Sequence, residues 1–137
     1  MAHYAIINDD NEVVGVFAGV DENSELPEGY SSWEEWYTNR KGQTVLRTSY
    51  NTFENTHITD GTPFRGNYAG GIGNIYDPVN DIFLAEKEWD SWVLDLDNAK
   101  FIAPISLPET NPEQYIWNEE AYQADNTTGW VLMPEYR

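Results

Sequence analysis

The sequence has 137 residues, of which 24 are acidic and 7 basic, and a formal charge of −17. Nucleic acid and anionic membrane are set aside as electrostatic partners, because both would repel such a chain. There is no cysteine, which removes disulfides and thiolate metal sites, and the length suits one domain or two small ones.

Six Trp, nine Tyr and five Phe supply many large anchors for a core, while 10 Gly, 7 Pro and a mean hydropathy of −0.62 point to many turns. The acidity itself has three readings: solubility or life in a salty medium that screens self-repulsion, docking on a basic protein surface, and nucleic-acid mimicry with carboxylates in place of phosphates. The acids are scattered through turns rather than gathered on one face, which counts against mimicry.

The start, Met1-Ala2-His3-Tyr4, lacks a basic region followed by an apolar run, and no segment reaches the length of a membrane span. The chain is therefore expected to be made in a cytoplasm and not to leave it through a signal peptide. Tyr4 to Val20 reads as a β-hairpin, with β-branched runs at 5–7 and 13–17 and a turn from Asn8 to Asn11. Asp21 to Gly29 is a polar loop. Ser32 to Arg40 is the one convincing helix. Ser32 with Glu35, or Ser31 with Glu34, forms a capping box, Trp33, Trp36 and Tyr37 share a face, and Lys41-Gly42 provides a cationic end and a left-handed stop. Thr44 to Tyr50 reads as a strand with Val45, Leu46 and Tyr50 in the core.

Asn51 to Gly71 shows no clear period and reads as a long loop pinned by Phe53, Phe64 and Tyr68. Gly70-Gly71-Ile72-Gly73 then lets the backbone turn into a strand. Two copies of one pattern follow: Tyr76-Asp77-Pro78-Val79-Asn80-Asp81-Ile82-Phe83 and Leu94-Asp95-Leu96-Asp97-Asn98-Ala99-Lys100-Phe101. Each is a hairpin signature, in which Asp opens a type I turn and Asn adopts the left-handed conformation that closes a three-residue loop. Ile7 to Val14 is a third copy. Trp117-Asn118-Glu119-Glu120 begins a fourth, stretched through Asp125 to Gly129 before Trp130. Pro104, Pro108 and Pro112 mark an extended connector between the last two hairpins.

Catalytic constellations are not evident. His3 and His57 stand in no metal-ligand spacing, Ser91 and Ser49 lack a nucleophile-elbow context, and no glycine-rich stretch leads into a helix. Asp77 with Asp81, and Asp95 with Asp97, are explained by turn formation without calcium. No cofactor is expected. The remaining feature is aromatic: Trp89, Trp92, Tyr115, Trp117 and Trp130 all fall in the hairpin half, as a thin core or as a face that binds protein or glycan.

Several of these stretches form a series: Thr48-Ser49-Tyr50-Asn51, Arg65-Gly66-Asn67-Tyr68-Ala69-Gly70, Gly73-Asn74-Ile75-Tyr76-Asp77, Asp81-Ile82-Phe83, Ser91-Trp92-Val93-Leu94-Asp95 and Tyr115-Ile116-Trp117-Asn118-Glu119. Over roughly residues 44 to 132 the series resembles a family of small acidic virion-associated structural proteins of marine tailed bacteriophages, cyanophages in particular. This chain departs from that pattern by a longer Asn51–Phe64 insert and by an isoleucine near Phe101 where a further tryptophan-like anchor is expected.

The resemblance implies a non-enzymatic phage structural protein, a capsid decoration or a neck or tail accessory, found in the virion after synthesis in the host cytoplasm. Its expected partners are other phage structural proteins or further copies of itself in a lattice, with no nucleic acid and no membrane. Two alternatives stand beside it, a carbohydrate-binding module of a tail fibre and an acidic inhibitor of a host protein or nucleic-acid mimic. The expected fold is mainly β, built of consecutive antiparallel hairpins with one short helix near 32–40. It would be divided into 1–71 and 72–137, or run on as one continuous domain. A lone hairpin buries too little surface to be stable, so the C-terminal hairpins are expected to pack on one another or on a neighbouring subunit.

Overall fold

A computed structural model describes residues 2–70 and 74–137. Gly71, Ile72 and Gly73, to which a sharp turn was assigned above, lie outside them. The protein is mainly β, made of small antiparallel sheets with one helix longer than two turns. It divides into two compact units, the first Met1–Glu86 with Leu96–Lys100, the second Lys87–Asp95 with Phe101–Arg137.

The first unit is organised on β1 (Ala2–Ile7), the central strand of a three-stranded antiparallel sheet with β2 (Val13–Gly19) and β3 (Thr44–Thr48) as its neighbours. Because strand side chains alternate, β1 feeds two cores. On one face Ala2, Tyr4 and Val45 are buried, with Ile6 and Phe17 beside them and Trp33 and Tyr37 of α1 (Trp33–Lys41) packed on top. On the other face Ala5 and Ile7 join Ala69 and Phe83, with Val13, Val16, Leu46 and Tyr76 around them. Phe83 and Tyr76 come from a hairpin of β6 (Asn74–Asp77) and β7 (Ile82–Ala85). Full burial of each large side chain contributes about 1.5–3 kcal/mol.

The helix ends as its sequence requires. Ser32 Oγ accepts from Glu35 N at 3.1 Å, and Glu35 reaches back to Ser31 N at 3.0 Å. Gly42, at φ 71°, donates to Thr38 O and stops the helix.

Between β3 and β6 the polypeptide is more ordered than its composition suggests. β4 (Thr52–Phe53) and β5 (Thr56–His57) form a two-residue hairpin whose central residues, Glu54 and Asn55, both have positive φ, as a type I′ turn demands. Two of the three expected rings pack, Phe64 beneath Arg47 and Arg65 and Tyr68 against His3 and Tyr50, and polar groups hold the rest of the segment. Buried Thr52 accepts from Phe64 N, and buried Thr48 accepts from Ala69 N. Asn67 accepts from Glu54 N at 2.8 Å and donates to Phe83 O at 2.7 Å and Ala99 O at 2.8 Å. Phe53 and Tyr50 are exposed, which corrects their assignment to pinning and to the core: Tyr50 comes after β3 has ended at Thr48 and stacks on His3 at 5.6 Å. Tyr68 meets both of these rings edge-on.

The repeated hairpin signature yields two loop lengths. In the first copy along the chain, Asn11 is itself left-handed, at φ 62°, in a three-residue tip closed by Asn8 N donating to Glu12 O at 3.0 Å, and a register shift falls beyond it between Ile6 and Ile7. In the Tyr76 copy the left-handed residue is Asp81, one position after the asparagine, and Pro78 to Asp81 form a four-residue loop between paired Asp77 and Ile82. There Asp77 accepts from Val79 N and Asn80 N, and Asn80 donates its side-chain amide to Asp77. The asparagine thus serves as a side-chain brace and does not adopt the left-handed conformation expected of it. Ala99 plays the left-handed part after Asn98, between β8 (Val93–Asp95) and β9 (Lys100–Ile102).

Arg65 ties the first unit together. Itself left-handed at φ 51°, it donates to Glu34 of α1 at 2.6 Å and to Arg47 O of β3 at 2.8 Å, and its Nε lies 3.0 Å from Asp81. Burial works against this charge, but the carboxylates of Glu34 and Asp81 outweigh it and hold the guanidinium protonated.

The second unit contains β10 (Tyr115–Trp117), α2 (Glu119–Ala124) and β11 (Trp130–Leu132). The two strands pair antiparallel, Trp117 opposite Trp130. The connector from Pro104 ends in a single 3-10 turn over Pro112–Gln114. α2 occupies the place read from sequence as the start of a stretched turn. Asn118 caps it by accepting from Ala121 N at 2.9 Å, and Glu119 and Glu120 fill the first turn.

Candidate functional site

The five aromatic residues singled out in the sequence converge. Trp89, Trp92, Tyr115, Trp117 and Trp130, joined by Glu88 and Ile116, line an open cleft of about 240 Å³ within the second unit. Chain geometry brings them together. Alternation places Tyr115 and Trp117 two apart on β10, the pairing sets Trp130 across from Trp117, and the 87–95 segment carries Trp89 and Trp92 three apart.

Within the cleft the rings differ in role. Trp92, Trp117 and Trp130 pack against one another at centroid distances of 6.2, 6.5 and 5.3 Å, two of the three pairs edge to face. Trp117 also meets Tyr122 of α2 at 5.4 Å and is 5% exposed. Gly129 lies so close to the Trp117 ring that a Cβ there would overlap it, so glycine is required just before β11. These three tryptophans are the floor of the cleft and the core of the unit. Trp89 and Tyr115 make no ring contact with another aromatic side chain among the described residues and stay partly open. Ile116 is 52% exposed.

The three floor indoles satisfy their N–H groups differently. Trp130 Nε1 donates to Ile105 O at 2.7 Å, and Trp117 Nε1 donates to Glu119 Oε1 at 3.0 Å. Trp92 Nε1 is buried and has no acceptor among the described residues. Glu119 is the polar fastening of the unit, accepting from Ser91 N, from the Ser91 hydroxyl, from Trp117 and from Gln123. The Ser91 hydroxyl bond is the largest cause, ahead of the Trp117 one, of a Glu119 pKa lowered to about 2 from an ordinary 4.5.

Glu88, Ile116 and Glu119 were not marked by sequence reasoning. Asn118 followed by two glutamates is a helix start, and would have shown that Glu119 sits in a first turn beside Trp117. For Glu88 the only signal was adjacency to a marked aromatic residue, and Ile116 stood in the sequence series only as a spacer between Tyr115 and Trp117.

Elsewhere the polar candidates are engaged. His57 Nδ1 lies 3.1 Å from Thr59 O and His3 stacks on Tyr50. Asp81 is taken up by Arg65 and the Tyr76 hydroxyl, and Asp77 by its own turn. No group of three His, Asp or Glu side chains that could hold a metal ion occurs among the described residues. A second hollow of about 270 Å³ lies at the end of β3, lined by His3, Tyr50 and Asn51 together with Arg47 and Glu22, which pair at 3.6 Å.

No known family, curated protein or solved structure matches this chain.

Proposed function

We propose that this chain is a non-enzymatic docking protein whose aromatic cleft seats a partner protein, and that its setting is a phage virion, as a capsid decoration or a neck or tail accessory. The observation that carries the docking reading is the cleft itself. Trp89, Tyr115 and Ile116 leave apolar and ring surface open to solvent over a floor fixed by three mutually packed indoles. Tryptophan and tyrosine around a rigid floor are the composition of interface anchors. The virion setting is supported by the sequence resemblance and by the acidity, which keeps such a protein off the packaged genome.

Quantitative mass spectrometry of purified particles tests the setting. Hundreds of copies per particle indicate decoration of the lattice, a few to tens indicate neck, tail or fibre, and absence from particles overturns the virion reading. A glycan-binding module is the second reading, favoured by a carboxylate, Glu88, lining the same cleft as open rings. Binding of neutral oligosaccharides in place of protein would establish it.

A further inference from the structure

Resting on that docking reading, we infer that the cleft receives a cationic side chain, arginine first, presented on a basic segment of the partner protein.

The chain's own cations show what such rings attract. Of its seven Lys and Arg residues, five lie over aromatic faces. Arg40 sits 4.2 Å from the Trp36 centroid, Lys41 5.0 Å from Phe17, and Arg47 3.9 Å and Arg65 4.9 Å from Phe64, with Lys87 5.9 Å from Phe101. The cleft offers the same kind of surface, and no Lys or Arg among the described residues lines it. Lys87 is drawn to Phe101, and Arg137, the second unit's other basic residue, donates its Nε to Leu132 O at 2.9 Å. Trp89 and Tyr115 keep ring faces that no other aromatic side chain among the described residues uses, and Glu88 adds a carboxylate to the lining. An electron-rich face beside an anion is the arrangement that binds guanidinium or ammonium groups.

Charge and size agree. The second unit carries nine acidic residues against two basic ones, which repels an acidic partner and attracts a basic one. A volume of about 240 Å³ falls below the roughly 300–1,000 Å³ of clefts that enclose whole small molecules. It is the scale of one long side chain, with the remainder of the partner lying outside. Arginine is preferred to lysine because its planar guanidinium stacks on a ring while it pairs with a carboxylate.

The test uses the full chain labelled with ¹⁵N, whose indole N–H signals from Trp33 and Trp36 of the first unit serve as an internal reference. The probes are Ac-Gly-Leu-Arg-Leu-Gly-NH₂, the same peptide with neutral citrulline in place of arginine, and cellopentaose. The arginine peptide is expected to move the indole signals of the second unit without moving those of Trp33 and Trp36. Citrulline should weaken binding about tenfold, and Glu88→Gln roughly threefold, with a smaller salt dependence. Equal affinity for the two peptides, tighter binding of cellopentaose, or no shift with the arginine peptide overturns the inference.

The docking reading is tested separately. Trp89→Ala with Tyr115→Ala, checked for intact Trp117 and Trp130 indole signals, should reduce incorporation of the chain into particles whatever the peptides do. Retained incorporation together with no peptide binding would remove both readings.

Discussion

The two units solve the problem of holding short hairpins in different ways. Of the eleven buried apolar side chains among the described residues, ten belong to the first unit and one, Trp117, to the second. The first unit distributes its order over two apolar layers on a shared sheet and a polar brace at Arg65 and Asn67. The second concentrates it in three indoles and one carboxylate. A β-hairpin needs a hydrophobic face to lean on, and either many small contributions or a few large ones will serve. The second solution leaves less redundancy, and it leaves ring surface at the edge that can be offered to a partner.

Removing the principal anchor of each unit is expected to have the largest effect. Trp117→Ala and Phe83→Ala should each cost about 3–5 kcal/mol. Trp117→Ala is expected to abolish hydrogen-exchange protection in the second unit while the first stays protected. Phe83→Ala should lower the first unit's denaturation midpoint and leave the second unit's indole signals in place. Simultaneous loss of both units in either variant would show a single cooperative domain.

A smaller effect sharpens the contrast between apolar and polar support. Asn67→Ala removes one accepted and two donated hydrogen bonds in the first unit and should cost about 2–3 kcal/mol, read from urea denaturation.

The large shifts of the two units also lie at opposite ends of the pH scale. Glu119 titrates at about 2 in the folded second unit against an ordinary 4.5. Its stabilising contribution is complete above about pH 4.5 and disappears as the pH falls towards 2. In the first unit, burial first of all pushes Tyr4 and Tyr76 up to about 12 from 10. Their contribution is complete below pH 10 and disappears as the pH rises towards 12. Acid titration followed by indole signals should disturb the second unit through Glu119, and Glu119→Gln should flatten its share of that response, leaving the smaller share of Asp125, whose pKa the hydrogen bonds from Thr127 also lower. Alkaline titration should disturb the first unit, with Tyr76→Phe flattening its share. The smallest effect is expected from Ser32→Ala, which deletes the helix cap at a cost of about 1 kcal/mol and should speed amide exchange at Glu35.

Local chemistry made much of this fold legible. The helix from Ser32 was readable because its cap, aromatic face and glycine stop all lie within a dozen residues. The hairpins were readable from their Asp and Asn openers. The residue that turns left-handed was misplaced at Asn80 and Asn98, because loop length is set by strand pairing on both sides and the local signature is the same for three- and four-residue tips. The β4–β5 hairpin escaped notice because Glu54 is an unusual residue for a type I′ turn, held there through Asn67, thirteen positions away. At the cleft, the five aromatic residues were nameable in advance. Their division into floor and rim was not, since it depends on the pairing of Trp117 with Trp130 and on Glu119.

The route of the chain between the units has an evolutionary consequence. The second unit is interrupted, since the 96–100 tip belongs to the first unit, where Ala99 O accepts from Asn67 and Asp97 O accepts from Asn55 at 3.1 Å. Genes that trade modules by a single crossover after Glu86 would carry that tip away with the second unit, and leave Asn67 and Asn55 without their acceptors. Exchange of either unit therefore requires that the tip be matched to its new neighbour. The two units are bound to be inherited together, as one recombination block, although each has a core of its own.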